Sequence, residues 1–404
     1  MKQLKTKFNF KSTLLIFTFF CIASAILIWA LFLKKDTNIS KEKISMLEIM
    51  TMEIGKENDE LKKQLAENLM KLAEIENQDQ YKINLDLKRK ISQIESTYKK
   101  AVKTYEELLN LKEKSKNTAS FDNQFTQAIV SLANQDYSEA EKMLNSLSEK
   151  ISAEQARIAA SFTIPENVPE NNSPPGSGYS RQTVNTQLGQ YMVSMVAGDL
   201  SNTRVIVDTA SNGDCANNCP VLPLATYVSR NGAYAGINGS YFCPAEYPSC
   251  AGKTNSFDTL LMNKDKVYFN SDNNVYSSVP AVIFGGSYVR FVGASSEWGR
   301  DTGIDSMIAN PPLMVSGGNV VFGGDGDPKK GSKGGRSFVA NRGNTVYIGV
   351  VHNATVAESA IVLKTLGMEN GLNLDDGGST ALWSGGYKVG PGRNLPNAIL
   401  FVRK

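Results

Sequence analysis

The stretch that decides the fold of this chain is Asn373-Leu374-Asp375-Asp376-Gly377-Gly378-Ser379-Thr380. It places two adjacent carboxylates, two glycines and two hydroxyls directly after an apolar helical pattern that includes Leu363 and Leu366. Acidic residues and glycines are disfavoured inside strands and helices, so the stretch predicts a tight loop between buried elements. Loops on a rigid scaffold often carry catalytic residues, although an ordinary acidic turn explains the composition equally well.

The length and net charge of the chain limit the number of its domains and the kinds of partner it can bind. The chain has 404 residues, which is enough for two or three domains with a sizeable core. Its 43 basic and 40 acidic residues give a net charge of only +3. No strong overall positive field therefore points to nucleic acid, and we expect no nucleic-acid partner.

The N-terminal part predicts a membrane segment. Residues 12–33 carry no charge, and at the rise of an α-helix such a run spans a bilayer core. Four lysines in residues 1–11 predict a cytoplasmic N-terminus, with the remainder extracytoplasmic and tethered to the cell membrane by a single pass. Lys34 and Lys35 weaken this orientation. A cleaved signal peptide is the alternative, but the run is too long for one and no clear cleavage site closes it.

Residues 34–160 predict a helical stalk. They are rich in Lys, Glu, Leu and Ile, with one glycine and no proline. Spacings of four and three residues mark a coiled-coil or hairpin seam at Leu87, Ile91, Ile94, Tyr98, Ala101, Tyr105 and Leu108. A weaker seam precedes it at Leu47, Ile54, Leu61, Leu65, Leu72 and Ile75. A further helix pair follows, with a helix start at Asp136. The stalk could form a homo-oligomer, dock a partner protein or act as a solvated spacer.

A change of composition marks the next domain. Residues 161–180 are rich in Pro, Asn and Ser and predict an extended linker, whereas residues 181–404 show strand and turn patterns. Turn residues between neighbouring runs predict antiparallel hairpins. One helix is predicted from Thr355 to about Leu366, with Asn353 or Thr355 as its cap and Gly367 at its end. The fold class is therefore α+β: a mainly antiparallel sheet domain with a packed helix, preceded by a membrane helix and a helical stalk.

The cysteines of the C-terminal domain favour disulfide bonds. Cys215, Cys219, Cys243 and Cys250 allow three pairings, among which the sequence does not choose. A zinc site is the rival, but these spacings do not match the usual zinc-ribbon patterns. Disulfides are the more frequent outcome outside the cytoplasm.

Few residue types are left to carry chemistry in this domain. Its single histidine, His352, follows a predicted strand and either lines a site or is a structural histidine. Residues 323–335 resemble a phosphate-binding loop, but the order Gly331-Ser332-Lys333 differs from that of a P-loop. We interpret these residues as a mobile basic loop at the edge of a site, or as a plain flexible hairpin. Aspartate, arginine, asparagine and hydroxyl groups must then carry most of any catalysis.

Four motifs in the same order resemble the phosphodiester glycosidase family, which includes N-acetylglucosamine-1-phosphodiester α-N-acetylglucosaminidase, the lysosomal "uncovering" enzyme. The motifs are Asn238-Gly239-Ser240-Tyr241-Phe242, Gly335-Arg336-Ser337-Phe338-Val339-Ala340, Asn373–Thr380 with the helix before it, and Arg393-Asn394-Leu395-Pro396-Asn397-Ala398. The resemblance covers residues 181–404. Asp376 and Ser240 replace family glycines and Ser337 replaces a threonine, so Asp375-Asp376 is an unusual carboxylate pair.

The resemblance implies hydrolysis of a sugar-1-phosphodiester to free sugar and a phosphomonoester. The predicted location outside the membrane suggests a cell-envelope glycan as the substrate. The resemblance also implies a catalytic group of Asp375, Arg336 and Asp376, with Asp375 as nucleophile, base or oxocarbenium stabiliser. Arg336 and Arg393 would be the phosphate ligands. Tyr241 is a candidate for stacking on the sugar, although a core tyrosine is the more frequent outcome. The remaining candidates, which would orient the sugar or phosphate, are Asn238, Gly239, Ser379, Thr380, Asn397 and His352. No cofactor is required, although adjacent carboxylates such as Asp375 and Asp376 could repel each other or recruit a cation such as Ca²⁺.

Two other functions fit the same residues. One is a non-catalytic module that binds an envelope glycan or phosphopolymer, with the stalk docking a partner. The other is a metal-dependent phosphodiesterase that cleaves the P–O bond with Asp375 and Asp376 as ligands, although a full set of metal ligands is not evident.

Overall fold

The structure, a computed structural model, describes residues 10–272 and 277–404, without the side chains of residues 10–21, 32 and 34–39. The chain divides into two compact units, Met1–Ser92 and Gln93–Lys404. The first unit contains α1 (Phe10–Asn77) and the beginning of α2 (Asp79–Lys114). The predicted membrane segment, residues 12–33, falls within α1, and about half of its side chains lie outside the described residues. Among the residues described, no helix combines the length and apolar character needed to cross a bilayer.

Three helical segments at the start of the second unit form a small bundle. The end of α2 packs with α3 (Ala119–Ala133) and α4 (Tyr137–Ala160). The Asp136 carboxylate accepts a hydrogen bond from the Glu139 backbone N–H at 3.1 Å, which confirms the predicted helix start.

The predicted seam of α2 is only partly correct. Ala101 and Leu108 are buried, but Tyr98 is 50% exposed, and Thr97 and Thr104 lie in the interior instead. The buried residues of α2 are Thr97, Ala101, Thr104, Leu108 and Leu111, which repeat the same spacing of four and three. The pattern therefore predicted the helix, while the placement of α3 and α4 decided which of two adjacent stripes became the core.

The remainder of the second unit consists of three antiparallel sheets and three short helices. The strands are β1 (Gly178–Thr186), β2 (Gly189–Asp199), β3 (Thr203–Thr209), β4 (Ala235–Asn238), β5 (Leu261–Met262), β6 (Tyr268–Phe269), β7 (Ala281–Phe284), β8 (Val289–Val292), β9 (Ser306–Ala309), β10 (Leu313–Ser316), β11 (Asn319–Val320), β12 (Gly334–Arg342), β13 (Thr345–Ala354), β14 (Asn370–Asn373), β15 (Leu382–Ser384), β16 (Tyr387–Val389) and β17 (Asn397–Arg403). The helices are α5 (Leu224–Arg230), α6 (Pro328–Gly331) and α7 (Val356–Thr365). The α+β class of this domain is confirmed.

Strand order brings distant parts of the chain together. The seven-stranded sheet runs β1-β2-β13-β12-β14-β10-β11, and the two five-stranded sheets run β16-β15-β4-β17-β3 and β6-β5-β9-β7-β8. The hairpins β5–β6, β7–β8, β10–β11 and β12–β13 are antiparallel and occur where turn residues predicted them. Residues of the linker also contact β1, where the Gln182 side-chain amide donates to the Asn171 carbonyl at 2.6 Å.

The core lies in layers between these sheets. One cluster joins the seven-stranded sheet to the other two and includes Val196, Ile237 and Val282. A second cluster covers the opposite face of the seven-stranded sheet with α7, and a third packs α5 on the sheet that contains β4. Each fully buried Val, Leu or Phe side chain contributes about 1.5–3 kcal/mol relative to exposure, so these layers fix the strands rigidly.

Helix α7 begins and ends as its sequence predicts. The Thr355 hydroxyl accepts from the Glu358 backbone N–H at 3.1 Å, and the Glu358 carboxylate accepts from the Thr355 N–H at 2.7 Å. This capping box satisfies two backbone donors that the first turn cannot pair internally. Gly367 follows the helix with a φ of +73°, a conformation that favours glycine.

Candidate active site

The candidate site lies where the chain passes from one sheet to the next. The loop Leu374–Ala381 connects β14 of the seven-stranded sheet to β15 of the neighbouring sheet, with a 3₁₀ turn at Gly377–Ser379. The predicted tight loop is therefore present. The Asp375 backbone N–H donates to the Gly239 carbonyl at 2.9 Å, so the loop is fastened to the end of β4. The motifs that lie far apart in sequence meet at this point.

Asp376 is held on the inner side of the loop. One carboxylate oxygen accepts from Arg336 Nη1 at 3.1 Å and from Asn373 Nδ2 at 3.1 Å. The other accepts from the Ser337 backbone N–H at 3.0 Å. Its side chain is 9% exposed, and burial raises the pKa of Asp376 while Arg336 opposes this. Both oxygens of Asp376, a predicted catalytic residue, therefore already have hydrogen-bond partners within the protein.

All three guanidinium nitrogens of Arg336 already donate hydrogen bonds within the protein. Its Nε donates to the Ala354 carbonyl at 2.9 Å, its Nη1 pairs with Asp376, and its Nη2 donates to the Lys329 carbonyl at 2.8 Å and to the Ser332 carbonyl. Residues 323–335, predicted as a mobile loop, thus contain the short helix α6 and fold around this guanidinium.

Tyr241 extends the same network. Asn373 Nδ2 donates to the Tyr241 hydroxyl oxygen at 2.6 Å, and that hydroxyl lies 3.5 Å from Asp376 Oδ2. Burial raises the pKa of Tyr241 far above its usual range, and the nearby carboxylates add to this, so the phenol stays protonated. Its hydroxyl therefore points into the Asp376 network.

Asp375 differs from its neighbour in its contacts. One of its oxygens accepts from the Asp376 backbone N–H at 2.9 Å, and the Ser379 hydroxyl also bonds to the carboxyl group. Burial, with a smaller contribution from the charge of Asp376, raises the pKa of Asp375 to about 7 against the opposing effects of Ser379 and Arg393. Asp375 can therefore gain or lose a proton near neutral pH, which suits a catalytic acid or base.

Two asparagines build the frame of the site from buried hydrogen bonds. Asn238 Oδ1 accepts from the Ser337 hydroxyl at 2.9 Å and from the Ala381 backbone N–H at 3.1 Å, while its Nδ2 donates to the Asp375 carbonyl at 2.6 Å. Asn397 bonds to the backbone N–H and hydroxyl of Ser240. Each of these two side chains thus forms hydrogen bonds through both its oxygen and its nitrogen.

Gly239 permits this frame to form. A Cβ at this position would collide with the Asn397 side chain, so only glycine fits. The Thr380 hydroxyl donates to the Gly335 carbonyl at 3.3 Å and fastens the far end of the loop to β12.

Arg393 makes a different set of contacts from Arg336. Its guanidinium carbon is 5.3 Å from the centre of the Tyr247 ring, and Lys329 Nζ is 5.0 Å from the same centre. The guanidinium also forms an ion pair with Glu113, a residue of α2. Its side chain is 13% exposed, and it borders open space, unlike Arg336.

Arg393 and His352 both line a cavity of about 700 Å³. Residues of α2, α4 and several later segments form its other walls. These residues are Glu113, Lys114, Gln155, Ile158, Ala159, Phe162, Glu246, Lys333, Gly334, Gly335, Asn353, Gly377, Gly378, Thr380 and Gly392. Its volume falls within the range of small-molecule sites. His352 Nε2 lies 3.0 Å from the Ser194 hydroxyl, and burial lowers the pKa of His352 to about 4, so its imidazole is neutral at pH 7.

The four domain cysteines form two local disulfides, Cys215–Cys219 and Cys243–Cys250. The second closes the loop that carries Tyr247, one of the residues not predicted for the site. A signal for Tyr247 existed, because it follows the Asn238–Phe242 motif inside a short cysteine-bounded loop. Glu113 had no such signal, since it lies 280 residues before its partner in a different type of segment.

The donor set does not suit a divalent cation between Asp375 and Asp376. Both oxygens of Asp376 accept hydrogen bonds from Arg336, Asn373 and Ser337, and a cation would have to displace them. In the part of the chain that the structure describes, no group of three or more His, Cys, Asp or Glu side chains is arranged to hold a metal.

Comparison with known proteins identifies the domain that carries this site. Residues 231–402 match the family model described as phosphodiester glycosidase. No curated protein sequence matches the chain significantly.

Among solved structures, the zebrafish N-acetylglucosamine-1-phosphodiester alpha-N-acetylglucosaminidase catalytic domain, auto-inhibited by its pro-peptide, is similar at a TM-score of 0.44 and 14% identity, over 59% of this chain and 87% of that one. A hypothetical protein from Synechocystis is similar at a TM-score of 0.41 and 15% identity, over 56% of this chain. The alignment spans only 62% of the length of the Synechocystis chain.

Proposed function

Residues 231–402 are a phosphodiester glycosidase domain and the chain is a hydrolase of that kind, and from this premise we propose that it cleaves a sugar-1-phosphodiester to free sugar and a phosphomonoester. One observation carries the proposal. Asp375, whose pKa burial raises to about 7, lies in the electrostatic field of Arg393, and Arg393 lines the cavity. A carboxylate next to a cation is the pair that this reaction requires.

The reaction breaks the bond between the anomeric carbon and the phosphate oxygen. Water supplies its hydroxyl group to the anomeric carbon, and its proton passes to the Asp375 carboxylate or to the leaving phosphomonoester, which departs with the bonding electron pair. Positive charge develops on the sugar as the bond lengthens, and the ionised Asp375 carboxylate stabilises it or activates the attacking group. A phosphate is a better leaving group than an alcohol, so protonation of the leaving oxygen is less important than in other glycosidases.

Arg393 is the proposed phosphate ligand. Its guanidinium can hold two phosphate oxygens at once, and it borders the cavity. Arg336 is less suited than Arg393 to the phosphate-binding role that the sequence predicts for it. Its nitrogens already donate to Asp376 and to three backbone carbonyls. We therefore propose that Arg336 and Asp376 position the loop, and that Arg393 binds the substrate.

The other candidate residues also fall into two groups, those that hold the loop in place and those that line the cavity. Asn238, Gly239 and Asn397 hold the loop, and Ser379 positions the Asp375 carboxyl group. Neutral His352 lines the cavity and can donate or accept a hydrogen bond to a sugar hydroxyl. Thr380 also lines the cavity. The role of Tyr241 in stacking on the sugar remains a prediction.

The test uses the full-length chain with uridine diphosphate N-acetylglucosamine, following free sugar by NMR in ¹⁸O-labelled water. We expect sugar release that is insensitive to chelator, with the label in the sugar. Label in the phosphate, with loss of activity in chelator, would instead establish P–O cleavage by a metal-dependent phosphodiesterase. Binding without turnover of any sugar-1-phosphodiester would establish the non-catalytic module.

We also propose that the domain acts outside the cell membrane, on an envelope glycan with sugar-phosphate links. The support is the uncharged run 12–33 with lysines before it, together with the two disulfides of the domain. The exposed apolar side chains of α1, among them Leu47, Ile54 and Leu61, support association of the helical segment with a second copy or a partner protein. Membrane fractionation and sedimentation of the full-length chain test these two proposals.

A further inference from the structure

One face of α2 brings three polar side chains to the open side of the site. Glu106, Asn110 and Glu113 are spaced by four and three residues, so they project from the same side of the helix. The Glu106 carboxylate accepts from the Ser249 backbone N–H at 3.0 Å, and Asn110 bonds to the Tyr247 hydroxyl. Glu113 pairs with Arg393. The helix therefore contacts both the disulfide-closed loop and the candidate phosphate ligand.

Glu113 also lies directly on the loop that carries Asp375. A Cβ added at Gly378 would collide with the Glu113 carboxylate and with the Arg393 guanidinium. The glycine thus leaves space for an anion to approach the loop, and in this structure that anion is the Glu113 side chain.

We propose that Glu113 is a specificity-determining residue, an internal anion that occupies Arg393 until a substrate phosphodiester replaces it. The proposal rests on the proposed function in assigning the phosphate to Arg393. A phosphodiester restores a negative partner to Arg393 when Glu113 leaves, whereas a neutral glycoside does not. Glu113 would therefore discriminate against sugars that lack a phosphate.

The contacts around Glu113 allow this exchange. The Glu113 side chain is 30% exposed, so its ion pair is partly solvated. The interior of the bundle, formed by Leu108, Leu111, Leu147 and Ile151, is a cluster separate from those between the sheets. Glu113 is thus released by breaking polar contacts, which water and ligand can replace.

The experiment measures binding of N-acetylglucosamine 1-phosphate to the full-length chain by calorimetry, comparing wild type with Glu113→Gln. Loss of the internal competitor should tighten binding roughly threefold to tenfold. The matched control is Glu141→Gln, which removes a carboxylate that pairs with Lys100 within the bundle and should bind as wild type does. With uridine diphosphate N-acetylglucosamine as substrate, Glu113→Gln should lower KM.

Glu113→Ala provides a second variant, because it removes the same charge with a different shape and should tighten binding similarly. Unchanged or weaker binding in both variants, with thermal unfolding like that of wild type, would overturn the proposal. The measurements distinguish failure of the Glu113 proposal from failure of the proposed glycosidase activity. Tighter binding without sugar release from any variant supports the role of Glu113 and rejects the glycosidase activity. Sugar release with unchanged binding rejects only the role of Glu113.

Discussion

The two sides of the Asp375-Asp376 loop are built in opposite ways. On the Arg336 side, every polar atom of Asp376 has a partner, and the surrounding backbone folds around the ion pair. On the Arg393 side, Asp375 accepts hydrogen bonds from its own loop, and Arg393 borders the cavity. The adjacent carboxylates therefore differ in their contacts, and this difference is the basis for proposing that Asp376 stabilises the fold and Asp375 takes part in the chemistry.

The sharpest test of this difference is the activity of Asp375→Asn. Replacing the carboxylate with an amide should lower kcat by about a thousandfold, because the amide neither stabilises the developing positive charge nor accepts a proton. Sugar release followed by NMR under saturating substrate measures this effect. Full activity in the variant would show that Asp375 is not the catalytic carboxylate.

Asp376→Asn should mainly affect stability. The substitution leaves the Arg336 guanidinium buried without its counter-charge, which should cost about 3–5 kcal/mol of unfolding free energy. Denaturant unfolding measures this change. Asp265→Asn is the control, since that carboxylate is 62% exposed in its pair with Lys264 and its loss should cost less than about 1 kcal/mol. Equal effects in the two variants would contradict the structural role of Asp376.

The pH dependence of the reaction should report the ionisation of Asp375. Because burial raises the pKa of Asp375 to about 7, the ionised form increases through neutral pH. We expect kcat/KM to rise about tenfold per pH unit below pH 7 and to level off above it. The pKa of His352, lowered to about 4 by burial, lies well below this range. A profile that is flat between pH 5 and 8 would reject the ionised Asp375 as the active form.

The smallest effect concerns the stability of the same Asp375→Asn variant. A carboxyl group whose pKa is raised on folding stabilises the protein below its unfolded pKa of about 4 and loses this contribution as pH rises through about 7. The variant should therefore match wild type at pH 4 and be the more stable of the two at pH 8, by no more than the roughly 4 kcal/mol that a shift of three pKa units represents. Thermal unfolding at both pH values tests this, and a wild type more stable at pH 8 would contradict it.

Much of this site could be predicted from the sequence because its motifs are local. The loop, the capping box at Thr355 and the hairpin turns each depend on residues only a few positions apart. Which hydrogen-bond partners each of the two aspartates would take could not be predicted. Consecutive side chains in extended backbone point in opposite directions, and Asp376 has extended geometry, so a one-residue difference in register reverses their roles.

The contacts that α2 makes with the site could not be predicted, for a different reason. Its amphipathic pattern predicts a helix with an apolar stripe, but two adjacent stripes satisfy the same spacing, and only the packing of α3 and α4 selected one. That choice also determines where the polar face points, and therefore whether Glu113 reaches Arg393. Contacts between segments hundreds of residues apart leave no pattern in either segment alone.

Strand β17 has a consequence for the synthesis of this protein. It lies between β4 and β3, so residues 397–403 supply the hydrogen bonds for edges formed about two hundred positions earlier in the chain. A nascent chain that has not yet emerged past these residues leaves both edges unpaired and available to strands of other molecules. The candidate site thus forms only when β17 is inserted, because Asn397 bonds to Gly239 and Ser240. Chains interrupted before Asn397 should therefore aggregate rather than persist as soluble proteins.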